Sequence, residues 1–183
     1  MRMAQKLRRW TRADLQDLPD DGNRYEVLDG ALLATPMASF DHQYVVSQLF
    51  AALQAYCEQH RVGRVVTPGA VVFGGSELQP DIDVLPYGPY PRRQTWENLP
   101  TPLLVAEVRS DSTYRRDIGT KREAYQRVRI PEYWVVDPEA RRALVWSPDG
   151  DDPVIVTDAL RWHPRLDIEP LVVPLESILA PEE

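Results

Sequence analysis

The 183 residues suffice for one ordinary domain with a buried core, and fractions of 43% hydrophobic and 27% charged residues are typical of a globular protein. The formal net charge of -7 provides no overall positive field, which argues against capture of nucleic acid by electrostatics alone without excluding a local basic patch. A single cysteine, Cys57, excludes an internal disulfide framework, and the lack of a long apolar run or secretory signal pattern predicts a cytoplasmic protein with no membrane span.

Alternating hydrophobicity bounded by turn residues predicts β-strands along most of the chain. The expected strands are residues 24–28, 31–34, 64–67, 70–73, 80–85, 103–108, 133–136 and 143–146. The Asp29-Gly30 pair indicates a tight hairpin turn between the first two strands, and residues 74–77 are expected to form a loop. Residues 154–178 are expected to supply an edge strand and a short terminal segment.

Apolar residues at helical spacing predict three helices. They are expected at residues 11–18, from Ser39 or Asp41 to about His60, and at residues 117–128. Gly63 is expected to end the second helix. Strand, helix and strand over residues 103–136 fit a right-handed parallel crossover. The sequence therefore predicts an α/β fold, a mixed β-sheet core flanked by helices.

Glu107 is a charged residue in the most hydrophobic predicted strand. The two-residue period places it on the same face as Leu103 and Val105. A carboxylate in such a place needs a partner, because an unpaired buried charge is strongly unfavourable. The alternative is a structural carboxylate that accepts hydrogen bonds from backbone amides.

Lys121 interrupts the apolar arc of the third predicted helix, which consists of Ile118, Ala124, Tyr125 and Val128. This helix follows the Glu107 strand directly, so its inner face should face the sheet. We therefore expect the ammonium to be directed at carboxylates, and Asp117, one turn earlier, could pair with it. The alternatives are a surface lysine extended to solvent or an isolated Lys121–Asp117 pair.

Asp81 begins a strand behind Pro80, with Asp83 on the same face. Two acids on separate strands with a lysine nearby suit a divalent metal, because carboxylate oxygens are natural ligands of Mg²⁺. Such a metal activates water and offsets charge on a phosphoryl group, while Lys121 could orient the water or stabilise the transition state. The alternative is that Asp81 only caps a turn.

Six segments occur in an order and spacing that together are specific, although each is weak alone. They are Tyr25-Glu26-Val27-Leu28-Asp29-Gly30, His42 with its helix, Pro80-Asp81, Val105-Ala106-Glu107-Val108, the Asp117/Lys121/Tyr125 ladder, and Pro131-Glu132-Tyr133-Trp134-Val135-Val136-Asp137. With them the chain resembles the Uma2 family (DUF820) of restriction-endonuclease-like proteins, a branch of the PD-(D/E)XK nuclease superfamily. The resemblance covers residues 24–146.

The resemblance implies a restriction-endonuclease-like domain over residues 1–183 with its core at about 24–146. It implies Asp81 and Glu107 as ligands of Mg²⁺ or Mn²⁺. It also implies that Lys121 replaces the lysine usually found two residues after the strand acid, where this chain has Arg109.

Further residues gain secondary roles from the same resemblance. Glu26 is placed near the metal as a further catalytic candidate, the alternative being an exposed strand glutamate. His42 and Asp117 are secondary candidates, and Tyr125 could orient the lysine, although apolar packing is favoured for it. One departure is Asp111, which stands where the family often has the proline of a Ser-Pro pair.

The favoured hypothesis is an endonuclease that hydrolyses DNA phosphodiester bonds, with a homodimer as a candidate assembly and no membrane partner. Candidate phosphate contacts are Arg92-Arg93, Arg115-Arg116 and Lys121-Arg122. The alternative is a catalytically silent nuclease fold used for binding or interaction. A glycosidase could also use two acids, but the motif order does not support it.

Overall fold

The computed structural model describes residues 8–180, so the ends of the expected domain, residues 1–7 and 181–183, lie outside the described part. The strands are β1 (Arg24–Leu28), β2 (Ala31–Thr35), β3 (Gly63–Val66), β4 (Val71–Phe73), β5 (Ser76–Leu78), β6 (Ile82–Pro86), β7 (Leu104–Val108), β8 (Tyr133–Asp137), β9 (Arg142–Trp146), β10 (Val154–Val156), β11 (Ala159–Trp162) and β12 (Leu171–Pro174). The helices are α1 (Phe40–His60), α2 (Tyr114–Arg116), α3 (Arg122–Arg127) and α4 (Leu175–Ile178), with a π-helical turn at Asp117–Lys121 and 3-10 helices at Arg12–Asp17 and Trp96–Asn98. The predicted mixed α/β architecture is confirmed.

A six-stranded sheet in the order β10-β9-β8-β7-β6-β3 forms the centre of the fold. β7 is buried along its whole length, as its apolar sequence predicts. β7 and β8 are parallel, because the helical segment between them returns the chain to the same edge, and the other neighbours are antiparallel. The register sets Glu107 beside Val135.

A four-stranded sheet in the order β2-β1-β5-β4 contains the predicted hairpin at Asp29-Gly30. The predicted loop over residues 74–77 is confirmed only for Gly74 and Gly75, which form a turn with φ of 51° and 85°, whereas β5 already starts at Ser76. A three-residue strand is too short to show a clear two-residue period. This strand joins the hairpin to the rest of the protein through β1.

α1 ends at His60, as predicted, but its C-cap is Arg61, so the expectation that Gly63 ends the helix was wrong. Arg61 adopts the left-handed conformation with φ 50° and ψ 45°, and its backbone N–H donates to Cys57 O. Gly63 lies in β3, where a Cβ atom would come within 2.1 Å of Leu85 O on the neighbouring strand. Within residues 8–180, no helix is both long and apolar enough to cross a membrane.

The helical segment before β8 starts at Tyr114, three residues earlier than predicted, and is not a regular α-helix. It widens to a π-helical turn over Asp117–Lys121 and tightens again in α3. π-helical turns are rare in proteins, and those that occur are often found at functional sites. Both Asp117 and Lys121 are buried in this turn.

Hydrophobic residues pack on both faces of the central sheet. One face, with Ile82, Ala106 and Trp134, packs against α1. The other face, with Val105 and Val135, packs against α3 and the smaller sheet. By strand alternation Asp81 and Glu107 belong to this second face.

The region 154–178 contains more structure than predicted. Besides the edge strand β10, it forms a separate two-stranded antiparallel sheet of β11 and β12, followed by α4. Leu160, Val173 and Ile178 are buried in the core on the α1 side of the central sheet. This segment therefore covers a face rather than only extending an edge.

Candidate active site

Five ionisable side chains meet on the second face of the central sheet. Each is almost fully buried, with exposed fractions of 0% for Glu26, 5% for Asp81, 2% for Glu107, 1% for Asp117 and 1% for Lys121. They come from β1, the residue before β6, β7 and the π-helical turn. The exposed-glutamate alternative for Glu26 and the surface alternative for Lys121 are therefore excluded.

Lys121 lies at the centre of the cluster. Its Nζ atom is 2.9 Å from Glu26 Oε1, 2.9 Å from Glu107 Oε1 and 3.8 Å from Asp117 Oδ1. Burial alone lowers the pKa of Lys121, but the three acids outweigh burial and raise it. The predicted direction of the ammonium, toward carboxylates, is confirmed.

Asp81 lies next to Glu107 and is held by three donors or potential donors. Its Oδ1 atom accepts from Arg24 Nη1 at 3.0 Å, and its Oδ2 atom accepts from the Val108 backbone N–H at 2.9 Å and lies 3.1 Å from His42 Nε2. The Asp81 backbone N–H donates to Glu107 Oε2 at 3.3 Å. The carboxylate thus connects neighbouring strands and does more than cap a turn.

Tyr125 has both of the roles weighed for it. Its hydroxyl donates to Glu107 Oε1 at 3.3 Å, and its ring packs against Tyr133 with centroids 4.9 Å apart. Glu107 is therefore fixed by Lys121, Tyr125 and the Asp81 amide together. Gln79 fixes Glu26 in the same way, because its backbone N–H donates to Glu26 Oε1 at 2.7 Å.

Sequence reasoning missed Arg24. It begins β1, two residues before Glu26, so the strand period places both on one face. A cation on the same strand face as a buried acid was the available signal. His42, a secondary candidate, does lie in the site beside Asp81.

Burial and neighbouring charge divide the acids into two kinds. Burial acts to raise the pKa of Asp81, but His42, Arg24 and the Val108 amide outweigh it and hold the pKa below its usual range. Burial raises the pKa of Glu107 and of Asp117, and Lys121 only partly opposes this. Burial also raises the pKa of Asp83, on the same face, to about 7.

Four carboxyl groups, those of Glu26, Asp81, Glu107 and Asp117, meet two cationic side chains, Lys121 and Arg24. Within residues 8–180, Glu26 Oε2 and both side-chain oxygens of Asp117 have no hydrogen-bond partner. Carboxyl oxygens without a protein partner fit a divalent cation such as Mg²⁺, which binds through one or two carboxylates and retains waters. The described residues contain no ready-made cage of three or more metal-binding side chains, so the fit is to a site completed by water and substrate.

A cavity of about 570 Å³ opens onto the cluster at Asp81. Its wall includes Arg24, His42, Arg109 and Asp111. Among the described residues, Glu107 and Lys121 are not part of this wall and lie behind Asp81. Among the four acids of the cluster, Asp81 is therefore the one that a ligand in the cavity meets first.

The predicted phosphate contacts are placed differently from the expectation. Arg116 donates to Thr35 Oγ1 at 3.2 Å, Arg122 donates to Gln126 Oε1 at 2.9 Å, and neither lines the cavity. Arg109 does line it and pairs with Asp137 at 2.9 Å. The arginines that a substrate in this cavity would meet are thus outside the predicted pairs.

Comparison with known proteins finds one matching family and a similar solved structure. The sequence model of the Uma2 family, described as "Putative restriction endonuclease", matches residues 12–174. The crystal structure of "a putative nuclease belonging to DUF820" from Anabaena variabilis ATCC 29413 is similar with a TM-score of 0.75 and 18% sequence identity, over 92% of this chain and 97% of that one. No curated protein matches the chain. At this identity the structural likeness shows the fold.

Proposed function

This chain belongs to the Uma2 family, and from that premise we propose that it is a metal-dependent endonuclease that hydrolyses phosphodiester bonds of DNA. The observation that carries the proposal is the pairing of Asp81, in the wall of a cavity, with Glu107 directly behind it. The Asp81 backbone N–H donates to Glu107 Oε2 at 3.3 Å, so the two acids adjoin. A homodimer that presents two sites to two DNA strands stays a prediction.

Asp81 and Glu107 are the residues proposed to hold Mg²⁺ or Mn²⁺. When bound, such an ion supplies a nucleophilic hydroxide from water and offsets the charge that develops on the phosphoryl group. Asp81 is suited to this role because it stays ionised and reaches the cavity. Glu107 is suited because its carboxylate is oriented by Lys121 and Tyr125.

Lys121 is proposed to support water attack through Glu107. Its ammonium lies 2.9 Å from Glu107 Oε1 and favours the ionised carboxylate, against the effect of burial. Glu26 holds the ammonium from the other side at 2.9 Å. Lys121 and Glu26 therefore act together as positioning residues for the acid on β7.

A binding module without turnover is the second candidate. It is favoured by the enclosure of Lys121, which lies between carboxylates and is absent from the cavity wall among the described residues. In this case the same acids would hold a metal ion, and DNA phosphate would bind through that ion without cleavage. The two candidates differ in turnover, which can be measured directly.

The test is incubation of supercoiled, linear and single-stranded DNA with purified protein and Mg²⁺ or Mn²⁺. We expect cleavage by the unaltered protein and at least a hundredfold loss in Asp81→Asn and Glu107→Gln, since metal and positioned charge supply several kcal/mol of transition-state stabilisation. The matched control is Asp167→Asn, an exposed acid paired with Arg165, which should retain activity. Cleavage that survives both site variants would contradict the proposal, whereas metal binding without cleavage of any substrate would favour the binding module.

A further inference from the structure

Arg24 is the cation at the boundary between the acid cluster and the cavity. Its Nη1 atom lies 3.0 Å from Asp81 Oδ1, and its side chain is 24% exposed. It also lines the cavity wall. Its guanidinium is thus in contact with a buried acid while retaining access to open space.

The two cations of the site contact different acids. Lys121 contacts Glu26, Glu107 and Asp117, is 1% exposed and lies off the cavity wall among the described residues. Burial by itself lowers the pKa of Arg24, but the charges of Asp81, Glu107 and Glu26 outweigh it and the pKa is raised. Arg24 is therefore the counter-ion of Asp81 and, unlike Lys121, adjoins space into which it can move.

The hydrogen bonds of Asp81 show which oxygen is available. Oδ2 is used by the Val108 amide and His42, both of which are fixed by secondary structure. For Oδ1, the partner among the described residues is Arg24. A cation that approaches Asp81 from the cavity therefore meets Oδ1 where the guanidinium already lies.

We propose that Arg24 is an intramolecular counter-ion that competes with a divalent metal ion for Asp81 Oδ1. This inference rests on the proposed function, because it takes Asp81 as a metal ligand. On release from Asp81, the guanidinium has the cavity beside it, where a substrate phosphate is a suitable partner for its paired donors. Metal binding is weakened by Arg24 in the free protein and is favoured when a phosphate accepts the released guanidinium.

The test is calorimetric titration of the full chain with Mg²⁺ and with Mn²⁺, without DNA. Arg24→Gln removes the competing charge and should bind metal roughly tenfold more tightly. Arg24→Lys keeps the charge and should resemble the unaltered protein. Arg127→Gln, which removes an exposed arginine paired with Asp29 at 3.0 Å, is the matched control and should leave the affinity unchanged.

Thermal unfolding provides a second measurement. Without metal, Arg24→Gln should melt below the unaltered protein, because Asp81 has lost its counter-ion, and added Mg²⁺ should raise its Tm more than it raises that of the unaltered protein. If Arg24→Gln does not fold, the inference is tested by NMR of the arginine side-chain N–H signals in the unaltered protein. The signal of Arg24 is identified as the one missing from the spectrum of Arg24→Lys. This signal should shift as metal is added.

The possible failures are distinguishable. Equal or weaker metal affinity in Arg24→Gln, an Arg24 signal unmoved by bound metal, or no metal binding in either protein would overturn the inference. The tighter binding of Arg24→Gln together with no cleavage of any DNA would leave the inference standing and remove the proposed function. Metal-dependent cleavage of DNA, together with equal metal affinities of the unaltered protein and Arg24→Gln, would support the proposed function and overturn the inference.

Discussion

Among single residues, Lys121 shows how a buried cation is made compatible with an apolar environment. Removal of its ammonium from water is unfavourable, and two carboxylate oxygens at 2.9 Å, from Glu26 and Glu107, offset that penalty. Asp117 adds a weaker contribution at 3.8 Å. The acids in turn depend on the lysine, because without it three carboxylates would share one buried space.

Lys121→Met is therefore expected to destabilise the protein by about 3–5 kcal/mol, since it leaves buried acids without their counter-ion. The measurement is urea unfolding followed by circular dichroism. The double variant Lys121→Met/Glu107→Gln should be more stable than Lys121→Met alone, because the carboxylate of Glu107, left without a counter-ion, is also removed. A decrease in the free energy of unfolding of less than about 1 kcal/mol in Lys121→Met would mean that the buried ion pairs do not stabilise this region.

At the level of elements, the π-helical turn Asp117–Lys121 brings an acid and a lysine from one helical segment against the sheet. Tyr133 on β8 anchors this turn, because its hydroxyl donates to the Asp117 backbone carbonyl at 3.1 Å. The parallel pairing of β7 and β8 sets Glu107 in the same layer. The site thus depends on how the helical segment returns to the sheet, and not on the segment alone.

Gly119, inside the turn, offers a test of whether the backbone there needs glycine. A Cβ atom at Gly119 would meet nothing within 4 Å, so Gly119→Ala should stabilise the protein by about 0.5–1 kcal/mol through higher helix propensity. Gly63→Ala is the matched variant, expected to destabilise by about 1–3 kcal/mol because its Cβ would come within 2.1 Å of Leu85 O. Both effects are measured as changes in Tm and in urea midpoint. A destabilised Gly119→Ala would show that the π-helical turn requires a conformation that alanine disfavours.

For the molecule as a whole, the charge distribution argues against binding DNA by a broad basic surface. The net charge is -7, and the arginines on the cavity wall, Arg24, Arg109 and Arg141, are accompanied by Asp41, Asp81, Asp111 and Glu139. Acids so close to the proposed phosphate position repel DNA until a cation is bound. The same acids that suit a metal therefore make substrate binding dependent on it.

DNA affinity is accordingly expected to be at least about tenfold higher with a divalent ion than with chelator. Fluorescence anisotropy of a labelled duplex measures this with Ca²⁺, which also prefers carboxylate oxygens, and with Mg²⁺. The slope of log affinity against log salt should be about -3 or shallower, since three arginines among residues 8–180 line the wall. Equally tight binding in chelator with a steep slope would point to a basic surface outside the cavity.

The sequence by itself determined the acids, the lysine and their order along strand, strand and helix. These depend on local backbone geometry, because the two-residue period of a strand and the helical period place side chains on faces whatever the surroundings. The period placed Glu107 on the face of β7 that carries Val105, and an apolar arc around Lys121 required a partner for its charge. The hairpin at Asp29-Gly30 and the parallel pair β7–β8 followed from equally local signals.

Only the tertiary structure decided which of these residues meet. Arg24 and His42 reach Asp81 across 57 and 39 residues of sequence, a distance over which no periodic pattern carries information. The enclosure of Lys121 behind Asp81, away from the cavity wall, likewise results from the packing of β1 against the helical segment. The pairing of the three-residue strand β5 with β1 depends on the segments packed around it rather than on the sequence of β5. Contacts between distant segments are set by how whole layers pack, so the sequence alone could name the charged groups but not the partner that balances each one.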